Sequence, residues 1–238
     1  MRTDPEPTTD TEPVAGWSVV VPLKPLALAK SRLAGAVGDA LRPRLALAFA
    51  QDTVAAVLAC AAVRDVAVVT DDPVAAASLA ALGARIVPDA PGAGLNAALE
   101  HGARAVRSLR PRAAVAALNA DLPALRPREL ARALTTASVF PRAFLTDAAG
   151  IGTTLLCALP GTELRPAFGG PSRRRHLASG AAEIMSGELD SVRRDVDTGA
   201  DLAAALALGV GPRTAGVAAG RTAGACAGEA APAPPGTA

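Results

Sequence analysis

The stretch from Asp65 to Val87 reads DVAVVTDDPVAAASLAALGARIV, and it decides the fold. Asp65–Thr70 is a run of β-branched apolar residues, which predicts a buried strand. Asp72 then supplies an acidic N-cap, and Pro73 suits the first position of a helix. The helix is predicted to reach Leu82, with Gly83 in the position just past its end. Ala84–Val87 is a second, short strand. Strand, helix and strand in succession form a βαβ unit, which requires two parallel strands.

The same alternation continues in both directions. Trp17–Pro22 reads as a strand and Leu41–Cys60 as a helix. Beyond Val87 come a helix over Leu95–Leu109, a strand over Ala113–Leu118 and a helix opened by Pro127. Arg142–Thr146 and Gly152–Ala158 read as two strands that could pair antiparallel. Pro171–Ile184 is predicted helical, Ser191–Val196 a last strand, and Thr198–Leu208 a last helix ending at Gly209. The fold class expected is α/β, a three-layer α/β/α arrangement around a mostly parallel sheet. Continuous apolar strands fit a sheet covered on both faces.

Composition narrows the function. The chain has 238 residues, a formal net charge of +2, one Trp, no Tyr and four Phe. That charge is too small for a broad basic field, and the aromatics are too few to stack single-stranded bases, so nucleic acid is not an expected partner. Three isolated cysteines and two histidines make a zinc site improbable and suit reduced thiols in the cytoplasm. The acidic N-terminus is no secretory signal, and the longest apolar stretch is too short to cross a bilayer, so no membrane association is expected. Residues 1–15 and 213–238 have almost no large apolar side chains and are expected to be disordered, leaving 16–212 as the folded domain.

In a parallel sheet of this kind, ligands bind beyond the carboxyl ends of the strands. After the first strand, Lys24, Lys30 and Arg32 fall within nine residues of a loop, which suits a phosphate chain as well as a solvated surface. After the second, Asp72 is explained as a cap, while Asp71 could reach a base or sugar. After the third, Gly94, Leu95 and Asn96 combine close backbone approach with an amide that can pair a nucleobase edge or cap a helix. After the fourth, Asp121 is a carboxylate at a buried strand end, suited to Mg²⁺. Asp195 and Asp197 alternate at the end of the last predicted strand, so on an extended segment they share a face. Between these lie Gly152-Thr153-Thr154 and the segment Phe168–His176, whose Ser172 and three arginines could receive an anion at a helix start. The bland reading of the arginines is an exposed basic turn, and that of His176 is a packing or surface residue.

Taken in order, Lys24–Leu33, Gly94-Leu95-Asn96, Ala120–Pro123, Gly152–Thr154, Phe168-Gly169 with Ser172 and His176, and Asp195–Thr198 form a recognisable set. The chain resembles the guanylyltransferases of coenzyme F(420) biosynthesis, the phosphoenolpyruvate / 2-phospho-L-lactate guanylyltransferase family, over about residues 17–212. The resemblance implies a Rossmann-like nucleotide-diphospho-sugar transferase fold. It also implies a reaction in which the phosphate of a three-carbon phosphorylated acid attacks the α-phosphorus of GTP and pyrophosphate leaves.

Carried over, the resemblance places Mg²⁺ on Asp121 with Asp195 or Asp197, without deciding between the last two. It places the acceptor on Thr154, Gly169 and Ser172, the triphosphate on Lys24, Lys30 and Arg32, and guanine near Gly94–Asn96. Asp121 and the three cations are the expected catalytic groups. Thr153 stands beside Thr154, and the arginines after Ser172 depart from the family pattern. The acceptor is expected to be phosphoenolpyruvate or 2-phospho-L-lactate, with 3-phospho-D-glycerate a third candidate; the biased Ala/Arg composition favours the first. Another acceptor on the same fold and a non-catalytic homologue are the competing readings. The oligomeric state stays open, a homodimer included.

Overall fold

The computed structural model describes residues 16–226. Strand β1 (Trp17–Pro22) leads through two 3₁₀ turns into the short helix α1 (Ala34–Val37) and then α2 (Arg42–Leu58). Next come β2 (Val63–Val69), α3 (Pro73–Ala80), β3 (Arg85–Val87), α4 (Leu95–Leu109), β4 (Val115–Leu118) and α5 (Pro127–Ala137). The chain continues through β5 (Arg142–Thr146), β6 (Thr153–Ala158), α6 (Ser172–Ala178) and β7 (Ala182–Glu183). It closes with α7 (Asp190–Arg193), α8 (Gly199–Leu208) and α9 (Pro212–Cys226).

The strands form one seven-stranded sheet in the order β3-β2-β1-β4-β6-β5-β7. Only β6 runs against its neighbours, pairing antiparallel with both β4 and β5. The expected α/β architecture with a mostly parallel sheet is therefore present, and so is the antiparallel pair.

Alternation along each strand builds the two outer layers. Val19 and Val21 of β1, with Val66 and Val68 of β2, pack toward α2, α3 and α5. Val20, Ala67 and Val69 point the other way, toward Ala98, Leu99, Ala103 and Val106 of α4. That second interface needs a glycine. A Cβ on Gly102 of α4 would sit 2.5 Å from Val20 Cγ1 and 2.7 Å from Val69 Cγ2. A third apolar group, including Leu33, Phe49, Val196 and Leu202, anchors the loop after β1 against α2 and α8.

Three expectations are corrected. The strand predicted over Ser191–Val196 is the helical turn α7 followed by an extended segment outside the sheet. The buried Glu129 carboxylate accepts from both the amide and the hydroxyl of Ser191, each at 2.8 Å, and this tertiary anchor overrides the local β-propensity. The helix predicted over Pro171–Ile184 stops at Ala178. Gly180, with φ of +81°, turns the chain so that Ala182 and Glu183 pair with Ala143 and Phe144.

The third correction concerns the segment expected to be disordered from 213. It begins instead as α9. Buried Asp52 of α2 accepts the amides of Arg213 (3.2 Å) and Thr214 (2.8 Å), capping that helix from across the molecule. The expectations for residues 1–15 and 227–238 lie outside the described residues. Among the described residues no helix is long and apolar enough to cross a membrane. Cys60 and Cys157 are buried free thiols.

Candidate active site

The carboxyl ends of β1 and β4 open onto a cleft of about 720 Å³. One wall is the loop after β1. It carries Lys24 and Arg32, both exposed, and Lys30. The loop is pinned at its root: Asp72, which caps α3 through Val74 and Ala75, also accepts the amide of Leu26 at 2.9 Å. Those three amides hold the Asp72 carboxyl below its ordinary range against the cost of burial.

Lys30 reaches across the cleft floor. Its Nζ makes an ion pair with Asp121 and a second, at 2.7 Å, with Asp197 Oδ1. Burial opposes its charge, but the two carboxylates outweigh that and hold its pKa well above the usual lysine value. Lys30 adopts φ of +57°, a left-handed conformation uncommon outside glycine. The loop is thus wound to deliver this one ammonium.

The acidic floor has two sources. Asp121 follows β4, as expected of a strand end. Asp195 and Asp197 come from the extended segment after α7, which the Val196 amide ties to the Asp121 carbonyl at 3.0 Å. Thr198, not Asp197, caps α8, in a reciprocal capping box with Asp201, so the Asp197 carboxylate is left to the cleft. Asp195 is pushed up to about 8, first by burial and then by Asp121, Asp197 and Asp147, with Lys30 opposing. One oxygen of Asp121, Oδ1, is buried without a partner among the described residues. Among the described residues, no three His, Cys, Asp or Glu side chains stand close enough to hold a metal ion by themselves.

The opposite wall is built by the start of β6 and the loop into α6. Gly169 and Ser172 line it. The threonine on this wall is Thr153. Thr154 is fully buried, with its hydroxyl unpaired among the described residues, and does not line the cleft. At the α4 end Leu95 lines the cleft, whereas Gly94 and Asn96 do not. Gly94 turns the chain into α4 with φ of +92°. Both ends of the Asn96 amide hold the backbone of Phe168: Oδ1 accepts from its amide (2.8 Å) and Nδ2 donates to its carbonyl (3.2 Å).

Three other polar residues singled out from sequence have structural partners. Asp71 accepts the Asp89 amide at 2.8 Å. Arg173 forms a forked pair with Glu183. Arg175 donates to the carbonyls of Ala167, Phe168 and Gly169.

Asp147 was not anticipated. It follows β5 and lines the cleft, while its two oxygens accept the amides of Ile151 (2.9 Å) and Gly152 (2.8 Å). The rule that found Asp121, a carboxylate just past a strand, would also have found Asp147.

A cleft at parallel strand ends, with cations on one wall and carboxylates on its floor, is the layout of a nucleotidyltransferase, and solved structures share the fold. A nucleotidyl transferase from Methanothermobacter thermautotroptrophicus matches with a TM-score of 0.59 at 22% identity, over 82% of this chain and 98% of that one. The family model described as guanylyl transferase CofC like matches residues 17–215, and the chain belongs to that family. A phosphoenolpyruvate guanylyltransferase of Streptomyces avermitilis is 73% identical over 203 residues, 85% of this chain and 94% of that protein. One from Streptomyces coelicolor is 70% identical over the same share of this chain and 96% of its own length.

Proposed function

We propose that this protein transfers the guanylyl group of GTP to the phosphate of phosphoenolpyruvate and releases pyrophosphate, a step of coenzyme F(420) biosynthesis. The observation that carries this reading is the convergence in one cleft of Lys24, Lys30 and Arg32, of Asp121, Asp195 and Asp197, and of the hydroxyls of Thr153 and Ser172. The names of the relatives supply the acceptor.

An oxygen of the acceptor phosphate attacks the α-phosphorus of GTP. The bond from that phosphorus to the bridging oxygen of the β-phosphate breaks, and pyrophosphate leaves with its electron pair. The attacking oxygen is already ionised at neutral pH, so no general base is needed. Catalysis consists of alignment and charge neutralisation. Lys24, Lys30 and Arg32 bind the triphosphate and stabilise charge on the leaving pyrophosphate. Leu95, at the mouth of α4, packs against the guanine.

The acidic floor suits Mg²⁺. The orphaned Asp121 Oδ1 is a hard oxygen donor, and the floor holds more carboxylate than Lys30 alone balances. Mg²⁺ commonly takes only one or two carboxylates and completes its shell with phosphate oxygens and water, so a three-residue cage is not required. Asp121, with Asp197 or Asp195, would hold the ion, which would supply charge neutralisation at the phosphates.

The experiment is pyrophosphate release from GTP and Mg²⁺ with phosphoenolpyruvate, 2-phospho-L-lactate and 3-phospho-D-glycerate offered singly. Release with phosphoenolpyruvate alone is expected. Release with only another acid would move the substrate assignment, and none with any would refute it.

A further inference from the structure

His176 is completely buried in α6, with the Phe144 ring 5.5 Å away and the Phe168 ring 5.4 Å away. Both of its nitrogens are engaged. Nε2 lies 3.0 Å from the Ala167 amide, which can only donate, so Nε2 is an acceptor and the ring proton sits on Nδ1. Nδ1 therefore donates to Thr153 Oγ1, 2.9 Å away. Ser172 Oγ shares a hydrogen bond with the same oxygen at 3.0 Å, and either hydroxyl can be its donor. One hydrogen of the Thr153–Ser172 pair is used between them, the other has no further acceptor among the described residues, and both residues line the cleft. A ligand at this pair is suited to accept that hydrogen.

The loop beside this hydroxyl is held just as fully. His176 takes the Ala167 amide, Asn96 clamps both polar groups of Phe168, and Arg175 gathers the three carbonyls from Ala167 to Gly169. Within the proposed reaction the acceptor's phosphate must face the α-phosphorus, on the cationic side. Its carboxylate is then left to the Thr153–Gly169 wall.

We propose that His176 is a positioning residue for the acceptor: its two nitrogens fix the Thr153 hydroxyl, which together with Ser172 offers one hydrogen to the acceptor's carboxylate, and hold the Ala167–Gly169 loop beside it. The proposal rests on the acceptor reading above. Burial, with Arg142 and Arg175 nearby, keeps the imidazole neutral, the state this pattern needs. The arrangement gives Asn96 a second duty of the same kind, since it ties the start of α4 to the acceptor loop.

The test uses the full chain and steady-state pyrophosphate release, varying acceptor and GTP separately. His176→Phe retains an aromatic ring but neither nitrogen, and Thr153→Val retains shape without the hydroxyl. Each is expected to raise the acceptor KM at least tenfold and to leave the GTP KM within twofold. The double variant should be no worse than the poorer single one, because both break the same hydrogen bond. His176→Gln, which keeps one donor and one acceptor, should recover part of the loss. If His176→Phe does not fold, His176→Gln and Thr153→Val carry the comparison. Equal rises in both KM values, or effects that multiply in the double variant, would overturn the positioning role. A wild-type protein that releases no pyrophosphate with any acceptor would overturn the functional reading, and this proposal with it.

Discussion

Lys30 Nζ lies 2.7 Å from Asp197 Oδ1 and also pairs with Asp121, so one ammonium joins the loop after β1 to both halves of the acidic floor. The three residues are far apart in sequence, and only the sheet topology brings them together. In this arrangement Lys30 neutralises the carboxylates where a divalent ion would compete for them. Lys30→Met should therefore make the protein more responsive to Mg²⁺ alone. The Mg²⁺-induced rise in Tm, measured without nucleotide, is expected to be larger in the variant than in the wild type. Turnover should fall about 100- to 1000-fold with the loss of a charge aimed at the phosphates. Equal Tm responses would contradict the competition.

Asp121 has a buried, unpaired oxygen and a second oxygen on Lys30. Asp121→Asn keeps the size of the side chain and removes its charge. Activity should fall at least about 100-fold, while the far-ultraviolet circular dichroism spectrum stays unchanged. Full turnover in this variant would remove Asp121 from the machinery.

Stability should depend on pH through His176. Its pKa is lowered to about 4 in the folded protein, chiefly by burial and then by Arg142 and Arg175. The unfolded value is near 6.5. Between these values the unfolded chain binds more protons, so stability rises with pH. The contribution is complete above about pH 6.5 and is lost as pH falls toward 4, by at most about 3 kcal/mol. Urea denaturation at several pH values should show this slope in the wild type and a shallower one in His176→Phe. Parallel slopes would assign the dependence to other groups.

Gly102 brings α4 against the sheet. Gly102→Ala places a methyl against Val20 and Val69. It should cost about 1–3 kcal/mol through overpacking. Both KM values should stay within twofold if the cleft is intact, measured alongside chemical denaturation. A neutral substitution would mean that α4 can shift outward freely.

Asp52 caps α9 from α2. Asp52→Ala should destabilise the protein by about 0.5–2 kcal/mol, in line with other lost caps. Hydrogen exchange at Arg213 and Thr214 should accelerate. Unchanged exchange there would mean that α9 is held by packing alone.

Where local signals carried the fold, sequence and structure agree closely. β1 and α4 have the bounds expected of them, because a β-branched run and a 3.6-residue apolar repeat are readable without tertiary context. α7 and α9 were missed for a common reason. Each is anchored by a distant carboxylate, Glu129 for α7 and Asp52 for α9, and no local pattern announces it.

The site follows the same division. Lys30 and Asp121 were legible as residues after strands, Asp197 was singled out from a strand that does not form, and all three meet. Side chains whose partners are backbone groups elsewhere were not legible. Asn96 could be read as pairing a nucleobase edge or capping a helix, and Arg175 as an anion ligand or an exposed basic turn; the contact both make with the backbone around Phe168 is in neither pattern. A register shift between Leu145 and Thr146 falls opposite Thr153 and Thr154, and that irregularity cannot be seen in the sequence.

The central claim is that the cationic wall, the acidic floor and the hydroxyl-bearing wall serve one guanylyl transfer. The most direct measurement is pyrophosphate release from GTP and Mg²⁺ by the wild-type protein with phosphoenolpyruvate, with the product checked by mass spectrometry. The account predicts one pyrophosphate for each guanylylated phosphoenolpyruvate formed, and none when the acceptor is omitted. Pyrophosphate released at the same rate without the acceptor, or a folded protein that binds no GTP, would contradict it.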